Sequence, residues 1–245
     1  MSNSEEFELG NIRTQWSLVQ RAHLDDQSGL QAMHTLVMRY APAIARFVRI
    51  VVRDESLAEE LAQEAMVRLL KGDFAGADPR RGRFRDLLKT AIRNMARNYW
   101  AKENRRKSAD IDPDLVEMED DSGLDRKWSQ EWRERTMVLA WQKLESFSTE
   151  KKNDYYRVLK VRSQFPDDSS VSLAEHLSNK YGKEVKPDSL RQQLKRARTK
   201  FVEFLLMEIA EGLSEPSPEL IHDELIALDL YLSVKESLPS QYLLS

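Results

Sequence analysis

The sequence contains no cysteine among its 245 residues, which excludes disulfides, thiolate zinc sites and cysteine nucleophiles. Its four histidines are scattered without the spacing of metal ligands, and no glycine-rich loop that could cradle a phosphate is present. No apolar run approaches the roughly 20 residues of a membrane helix. The N-terminal MSNSEEFELG is acidic and lacks the apolar core of a signal peptide. We therefore expect a cytoplasmic protein without an enzymatic motif, a cofactor or a membrane partner.

Charge is abundant but segregated along the chain. Charged residues make up 32% of the sequence, and the formal net charge of −3 alone argues against nucleic acid. However, residues 76–107 carry 11 Lys and Arg against 3 Asp and Glu, and residues 186–200 carry 6 against 1. Between them, residues 110–125 carry 8 acidic residues and no basic one. Local rather than net charge sets the field that a phosphate backbone meets, so two basic islands stay open to nucleic acid.

Apolar residues recur at helical spacing through nearly the whole chain, which predicts an all-α fold. One apolar stripe runs from Leu30 to position 51, and Pro42 is expected to kink or divide it. Ser56 with Glu59, and Ser172 with Glu175, have the form of capping boxes and predict two helix starts.

Residues 83–106 predict a helix with one apolar face and a basic stripe beside it. Like charges four residues apart cost an isolated helix roughly 0.2–0.5 kcal/mol per pair. Acids are nearly absent from this face, so we expect the charges to point outward towards a polyanion. Interleaved amides and aromatics suit base edges and unpaired bases, which favours nucleic acid over a merely solvated face. The stripe is Arg85, Lys89, Arg93 and Arg97, and the interleaved residues are Asn94, Asn98, Tyr99 and Trp100.

A second basic helix begins near Pro187, a residue type favoured in the first helical turn. It follows the helix that starts near Ser172 and the turn YGKEV. A short helix, a turn and a basic helix favour a helix-turn-helix, although this turn is longer than the tightest examples. Its core face is predicted to be Leu190, Leu194, Ala197, Phe201, Leu205 and Ile209.

The helix before the first basic helix carries an acidic ridge of Glu59, Glu60, Gln63 and Glu64. Such a ridge usually serves solubility, but beside a DNA-binding face it favours a protein partner. Residues 108–127 lack periodicity and predict a linker. The stretch DIDPD begins like a calcium loop, but Leu115 and Asp121 replace its required glycine and glutamate.

The order of these segments resembles a known family. EELAQEAMVRLL, a loop and FRDLLKTAIRNMARNYWAKENRR resemble region two of bacterial sigma factors, and SLRQQLKRARTKFVEFL resembles the second helix of region four. Two domains with a linker and nothing in place of region three resemble the extracytoplasmic-function (ECF) group. TQWSLVQRA, ADPRRGRFRDLL and the final acidic helix resemble a subgroup typified in planctomycetes. The resemblance implies region two over 12–107, an acidic linker over 108–127, region four over 128–212 and an acidic, helical C-terminal extension over 213–245.

The resemblance also implies partners and residue roles. A sigma factor binds core RNA polymerase, directs it to promoter DNA and assists strand opening without catalysis of its own. An anti-sigma factor is a common further partner in the family, although nothing in the sequence identifies one. The family's polymerase-docking positions match Glu60, Gln63 and Glu64. At the minus-ten element, backbone contacts are expected from Arg85, Lys89, Arg93 and Arg97, and contacts to separated bases from Asn94, Asn98, Tyr99 and Trp100. At the minus-thirty-five element, base-edge contacts are expected from Ser189, Arg191, Gln192 and Lys195, and phosphate contacts from Arg196 and Arg198.

Two other function classes remain open at this point. One is a helix-turn-helix regulator with sigma-like architecture but no polymerase docking. The other is a helical interaction module whose basic faces bind protein, which salt-insensitive binding would identify. The acidic linker either crosses a positive polymerase surface or shields the basic faces of the free protein.

Overall fold

The computed structural model describes residues 21–22, 24, 26–52, 54–71, 83–106, 121–182, 184–213 and 215–243. Within these ranges the chain forms helices and no strand, which confirms the predicted all-α fold. The described residues divide into two compact units. The N-terminal unit holds residues 21–135 and 210–220, and the C-terminal unit holds residues 136–209 and 221–243. The predicted loop before the first basic helix and the first part of the predicted linker lie outside the described residues.

The N-terminal unit is built from three helices that contact one another, together with the first part of a fourth. They are α1 (Gln27–Val51), α2 (Glu55–Lys71), α3 (Phe84–Arg106) and α4 (Asp121–Glu150). Because α4 already begins at Asp121, the last seven residues of the predicted linker are helical.

Aromatic side chains form the core of the N-terminal unit. Tyr40 of α1 stacks on Trp132 of α4 with ring centroids 5.4 Å apart, and it also meets Phe84 of α3 at 5.3 Å. Phe47 of α1 lies 4.6 Å from Trp128. Aromatic pairs at these distances are attractive beyond the area that they bury. Trp128 and Trp132 therefore belong to the N-terminal unit, which extends to Arg135 and so beyond the predicted boundary at residue 128.

The helix α1 continues through Pro42, so the predicted division at this residue is wrong. Proline lacks an N–H, which leaves the carbonyl of Met38 without its donor four residues on. Arg135 of α4 supplies the replacement: its Nη2 donates to the Met38 carbonyl at 2.7 Å, and its Nε donates to the Arg39 carbonyl at 2.6 Å. Leu30, the first residue of the predicted apolar stripe, is 68% exposed and so lies outside the core.

Both predicted capping boxes are wrong in position. The helix α2 begins at Glu55, and the Asp54 carboxylate accepts from the Leu57 amide at 2.8 Å. In the C-terminal unit, the Ser169 hydroxyl accepts from the Ser172 amide at 3.1 Å. Ser56 and Ser172 therefore lie inside the first helical turns, because an acceptor of equal capping ability precedes each of them.

The C-terminal unit centres on three helices that share one apolar core. After the remainder of α4 come α5 (Tyr155–Gln164), α6 (Ser170–Tyr181) and α7 (Pro187–Glu211). Pro187 is the first residue of α7, as predicted. The shared core consists of Val158, Val161, Leu173, Ala174, Leu177, Leu190 and Leu194. The predicted core face of α7 is confirmed, because all six of its residues are buried.

The C-terminal extension is helical but shorter in its helices than predicted. In place of one helix to about residue 233, α8 (Pro218–Ala227) is followed by α9 (Tyr231–Val234) and by short 3-10 turns at Lys235–Ser237 and Ser240–Tyr242. Asp229 has φ of 52°, a left-handed conformation that ends a helix. The His222 ring contacts the Tyr242 carbonyl through Nδ1 at 2.9 Å and so ties α8 to the last turn.

Candidate nucleic-acid interface

The helix α2 separates an apolar face from an acidic one. Its buried residues are Leu57, Ala58, Leu61, Ala65 and Leu69. Glu60, Gln63 and Glu64 are all exposed on the other side, as the predicted ridge requires. Val67 continues this exposed stripe one turn further on, and 44% of it is accessible. The charge pattern that predicts the ridge does not include Val67, although its spacing of three and four residues from Glu64 and Gln63 places it on the same face.

The apolar side of α3 is packed as the sequence predicted. Phe84, Leu88, Ile92, Met95 and Ala96 are buried. Three of the predicted site residues, Asn94, Arg97 and Asn98, are exposed. Tyr99 and Trp100 are half-buried, with their rings edge to face at 5.7 Å between centroids. The second half of α3 therefore presents amides, one arginine and two aromatic rings close together in sequence.

The basic stripe of α3 does not point uniformly outward. Arg85 is only 5% exposed, so the prediction of an outward-facing charge is wrong at this position. Lys89 and Arg93 are largely buried, with exposed side-chain fractions of 20% and 15%. Of the four basic residues, Arg97 is the exposed one.

The expectation that the stripe has no neutralising acid is also wrong. Asp125 of α4 places Oδ1 2.9 Å from Lys89 Nζ and 3.8 Å from Arg93 Nη1. The acid comes from the end of the acidic stretch, 36 residues after Lys89. Buried neighbours on α4 hold it there, and helical periodicity within α3 gives no sign of such a contact.

In the C-terminal unit, α6 ends at Tyr181 and α7 begins at Pro187, so five residues connect the two helices. Gly182 has φ of 65° and ends α6, with its amide donating to the Ser178 carbonyl at 2.8 Å. The six predicted DNA contacts of α7 are all exposed. They are Ser189, Arg191, Gln192, Lys195, Arg196 and Arg198.

Arg191 is held in place by neighbours on both helices. Its Nε donates to the Ser170 hydroxyl at 3.2 Å, and its Nη1 lies 3.2 Å from the Asp188 carboxylate. Ser189 accepts from the side-chain amide of Gln193 at 3.2 Å. These contacts restrict the side chains at the start of α7, which reduces the entropy that a bound partner would have to remove.

Arg162 of α5 lies close to Arg198 of α7. Burial, followed by the nearby charge of Arg198, lowers the pKa of Arg162. The Arg162 guanidinium is fixed by the carbonyls of Pro166 and Asp168, to which Nη1 donates at 2.9 and 2.8 Å. The charges of Asp168 and Asp167 act on the pKa of Arg162 in the opposite direction, so they offset part of its positive charge near Arg198.

Comparison with known proteins gives one match. Residues 36–106 match the family model for sigma-70 region 2, a span of less than a third of the chain. No curated protein and no solved structure matches the chain. The matched span begins within α1 and ends with α3, so it includes both the acidic ridge and the basic stripe. The match supports a role as a sigma factor in binding RNA polymerase and recognising promoters.

Two further observations concern the described residues alone. None of their helices is both long enough and apolar enough to cross a membrane. Within the same ranges, no group of three or more His, Asp and Glu side chains is placed to hold a metal ion.

Proposed function

We propose that this protein is a sigma factor of the ECF group, which gives core RNA polymerase its promoter specificity and helps to open the DNA. The observation that carries the proposal is the match to sigma-70 region 2, because one packed unit within it holds both an acidic ridge and a basic helix. The chain contributes recognition, and the polymerase contributes the chemistry. This activity belongs in the cytoplasm, and an anti-sigma factor is a further expected partner.

The exposed ridge of α2 is the proposed contact with polymerase. Glu60, Gln63 and Glu64 present two carboxylates and an amide to a basic surface, and Val67 adds an apolar contact next to them. Complementary charge of this kind speeds association and fixes the register of an interface. The buried leucines on the opposite side hold α2 rigidly, so the ridge is preorganised.

The second half of α3 is the proposed minus-ten surface. Asn94 and Asn98 offer donors and acceptors to base edges, and Arg97 offers a charge to the backbone. Tyr99 and Trp100 provide ring faces on which separated bases can stack, a contact that is roughly 1–3 kcal/mol per base in other proteins. Lys89 and Arg93 are further proposed contacts to the DNA backbone. Arg85 is buried and is therefore not part of this proposed surface.

The helix α7 is the proposed reader of the minus-thirty-five element. Its first turns expose Ser189, Arg191, Gln192 and Lys195, which are the proposed contacts to base edges in a major groove. Arg196 and Arg198, further along, would hold phosphates. The helix-turn-helix interpretation is supported by the left-handed Gly182 that ends α6 and by the core that α6 and α7 share.

Transcription by core polymerase with a ridge variant tests the proposal. The double variant Glu60→Arg with Gln63→Ala should abolish promoter-specific transcription while leaving binding to bare DNA unchanged. Glu150→Arg is the matched control, since it reverses an exposed carboxylate at the end of α4 that pairs with Lys151. Full transcription by the ridge variant would contradict polymerase docking through α2. If the natural chain binds DNA but supports no promoter-specific transcription with core polymerase, the protein is instead a regulator.

A further inference from the structure

Asp125 contacts two basic side chains of α3 that are proposed to bind the DNA backbone. Its Oδ1 lies between two basic side chains of α3, 2.9 Å from Lys89 Nζ and 3.8 Å from Arg93 Nη1. The two bases are four residues apart and therefore point the same way from consecutive turns. Their exposed side-chain fractions are 20% and 15%, whereas half of the Asp125 side chain is exposed. The acid thus closes the solvent side of a basic recess.

A recess of this kind suits a phosphate oxygen. An ammonium and a guanidinium that share one anionic oxygen form charge-assisted bonds, and phosphate offers oxygens of the same charge and size. We infer that Asp125 occupies a phosphate-binding site formed by Lys89 and Arg93, and that it competes with the DNA backbone for this site. This inference rests on the proposed function.

The packing of α4 shows how the competition would work. Leu124 and Trp128 lie beside Asp125 in the sequence and one turn on, and each is 1% exposed. Trp128 packs 4.6 Å from Phe47 in the core. Detaching α4 would expose both apolar side chains, whereas rotating the half-exposed Asp125 side chain would expose neither. The phosphate therefore displaces one side chain and leaves the helix in place.

The consequence is a barrier against unspecific DNA. Every duplex offers phosphates, and unspecific binding depends almost entirely on them. An acid that must be displaced lowers affinity for any backbone by the same factor. The ratio of promoter affinity to unspecific affinity stays the same, but unspecific binding has only backbone contacts and is lost first, whereas base contacts and the polymerase still hold promoter DNA. Asp125 thus lowers the amount of unspecific DNA that the free chain binds.

The test compares the affinity of full-length variants for a fluorescent duplex of random sequence at low KCl. Asp125→Asn keeps the shape of the side chain and removes its charge, and Asp125→Ser is a second variant with the same loss. Both should bind roughly three- to fivefold more tightly than the natural chain, the range expected for losing one partly exposed ion pair. The gain should shrink as KCl rises, because salt screens the pair. Glu150→Gln controls for the loss of one negative charge elsewhere, and its affinity should stay unchanged.

A second background ties the effect to the recess. In a chain that carries Lys89→Gln and Arg93→Gln, the site is absent, so Asp125→Asn should no longer change the affinity. Thermal unfolding of each variant establishes that it is folded. Unchanged affinity of folded Asp125→Asn and Asp125→Ser would overturn the inference, as would a gain equal to that of Glu150→Gln or one that persists in the double background.

Failure of the proposed function has a different result. If neither the natural chain nor the two Asp125 variants show DNA binding that weakens steeply with KCl, both the proposed function and the inference are overturned. If the natural chain binds DNA and supports promoter-specific transcription, but Asp125 variants bind equally well, the inference alone fails.

Discussion

The contact between Arg135 and the backbone around Pro42 is expected to stabilise the fold, and a substitution at Arg135 tests how much it contributes. Replacing Arg135 with methionine keeps most of the aliphatic stem but removes the two hydrogen bonds to the carbonyls of Met38 and Arg39. Hydrogen bonds with a charged partner contribute about 1.5–3 kcal/mol each. Arg135 is partly accessible to water, which replaces part of this contribution. We therefore expect Arg135→Met to lower the free energy of unfolding by about 2–3 kcal/mol.

The Pro42→Ala substitution tests the cause. Alanine restores an N–H that can bond to the Met38 carbonyl, so that carbonyl no longer depends on Arg135. In the Pro42→Ala background, Arg135→Met should cost at least about 1 kcal/mol less than in the natural chain, because residues that share a partner are coupled by this order. Urea unfolding followed by circular dichroism of the four chains gives the coupling energy. An equal cost of Arg135→Met in both backgrounds would refute the reasoning, and so would no cost in the natural one.

Five other variants test the local structure by unfolding measurements. Gly182→Ala should destabilise the chain by roughly 1 kcal/mol, because φ of 65° disfavours any Cβ although no atom lies within 4 Å of it; no loss would contradict the left-handed cap. Asp54→Ala should cost about 1 kcal/mol and Ser56→Ala much less, which a reversed order would refute. Trp132→Ala should cost about 3–5 kcal/mol through the cavity left against Tyr40, and a cost below 1 kcal/mol would show that this stack is absent in solution. The Ser28 hydroxyl, followed by the Gly29 amide, lowers the pKa of Asp26 below 3.8, so its stabilising contribution is present above that pH and lost as the pH falls through the folded pKa. Asp26→Asn should therefore weaken the dependence of stability on pH in this acid range, and an unchanged dependence would count against the cap.

Local periodicity predicted much of the fold. The buried face of α7, from Leu190 to Ile209, follows from spacing within one helix, and so does the apolar side of α3. Helix starts were harder, because Asp54 and Ser169 compete with nearby serines of similar capping ability. In each case only the position of the accepting oxygen decides which residue is the cap.

Contacts between distant segments could not be predicted from these patterns. Arg135 lies 96 residues after Arg39, whose carbonyl it binds, and periodicity on neither helix indicates this pairing. The same holds for Asp125 and Lys89. The acidic stretch was predicted to be a linker with a possible shielding role, and Asp125 shows one such contact from a residue that is helical and anchored.

The most direct test of the central claim is transcription from a candidate promoter upstream of the protein's own gene. Purified bacterial core polymerase is supplied with and without the protein, and unpaired thymines near the start site are detected by permanganate. If the protein is a sigma factor, both the promoter-specific transcript and the unpaired bases should require it. The core polymerase must be shown to transcribe with another sigma factor. If this protein then binds the same DNA in a salt-sensitive way but gives neither a transcript nor unpaired bases, the claim that it is a sigma factor is contradicted.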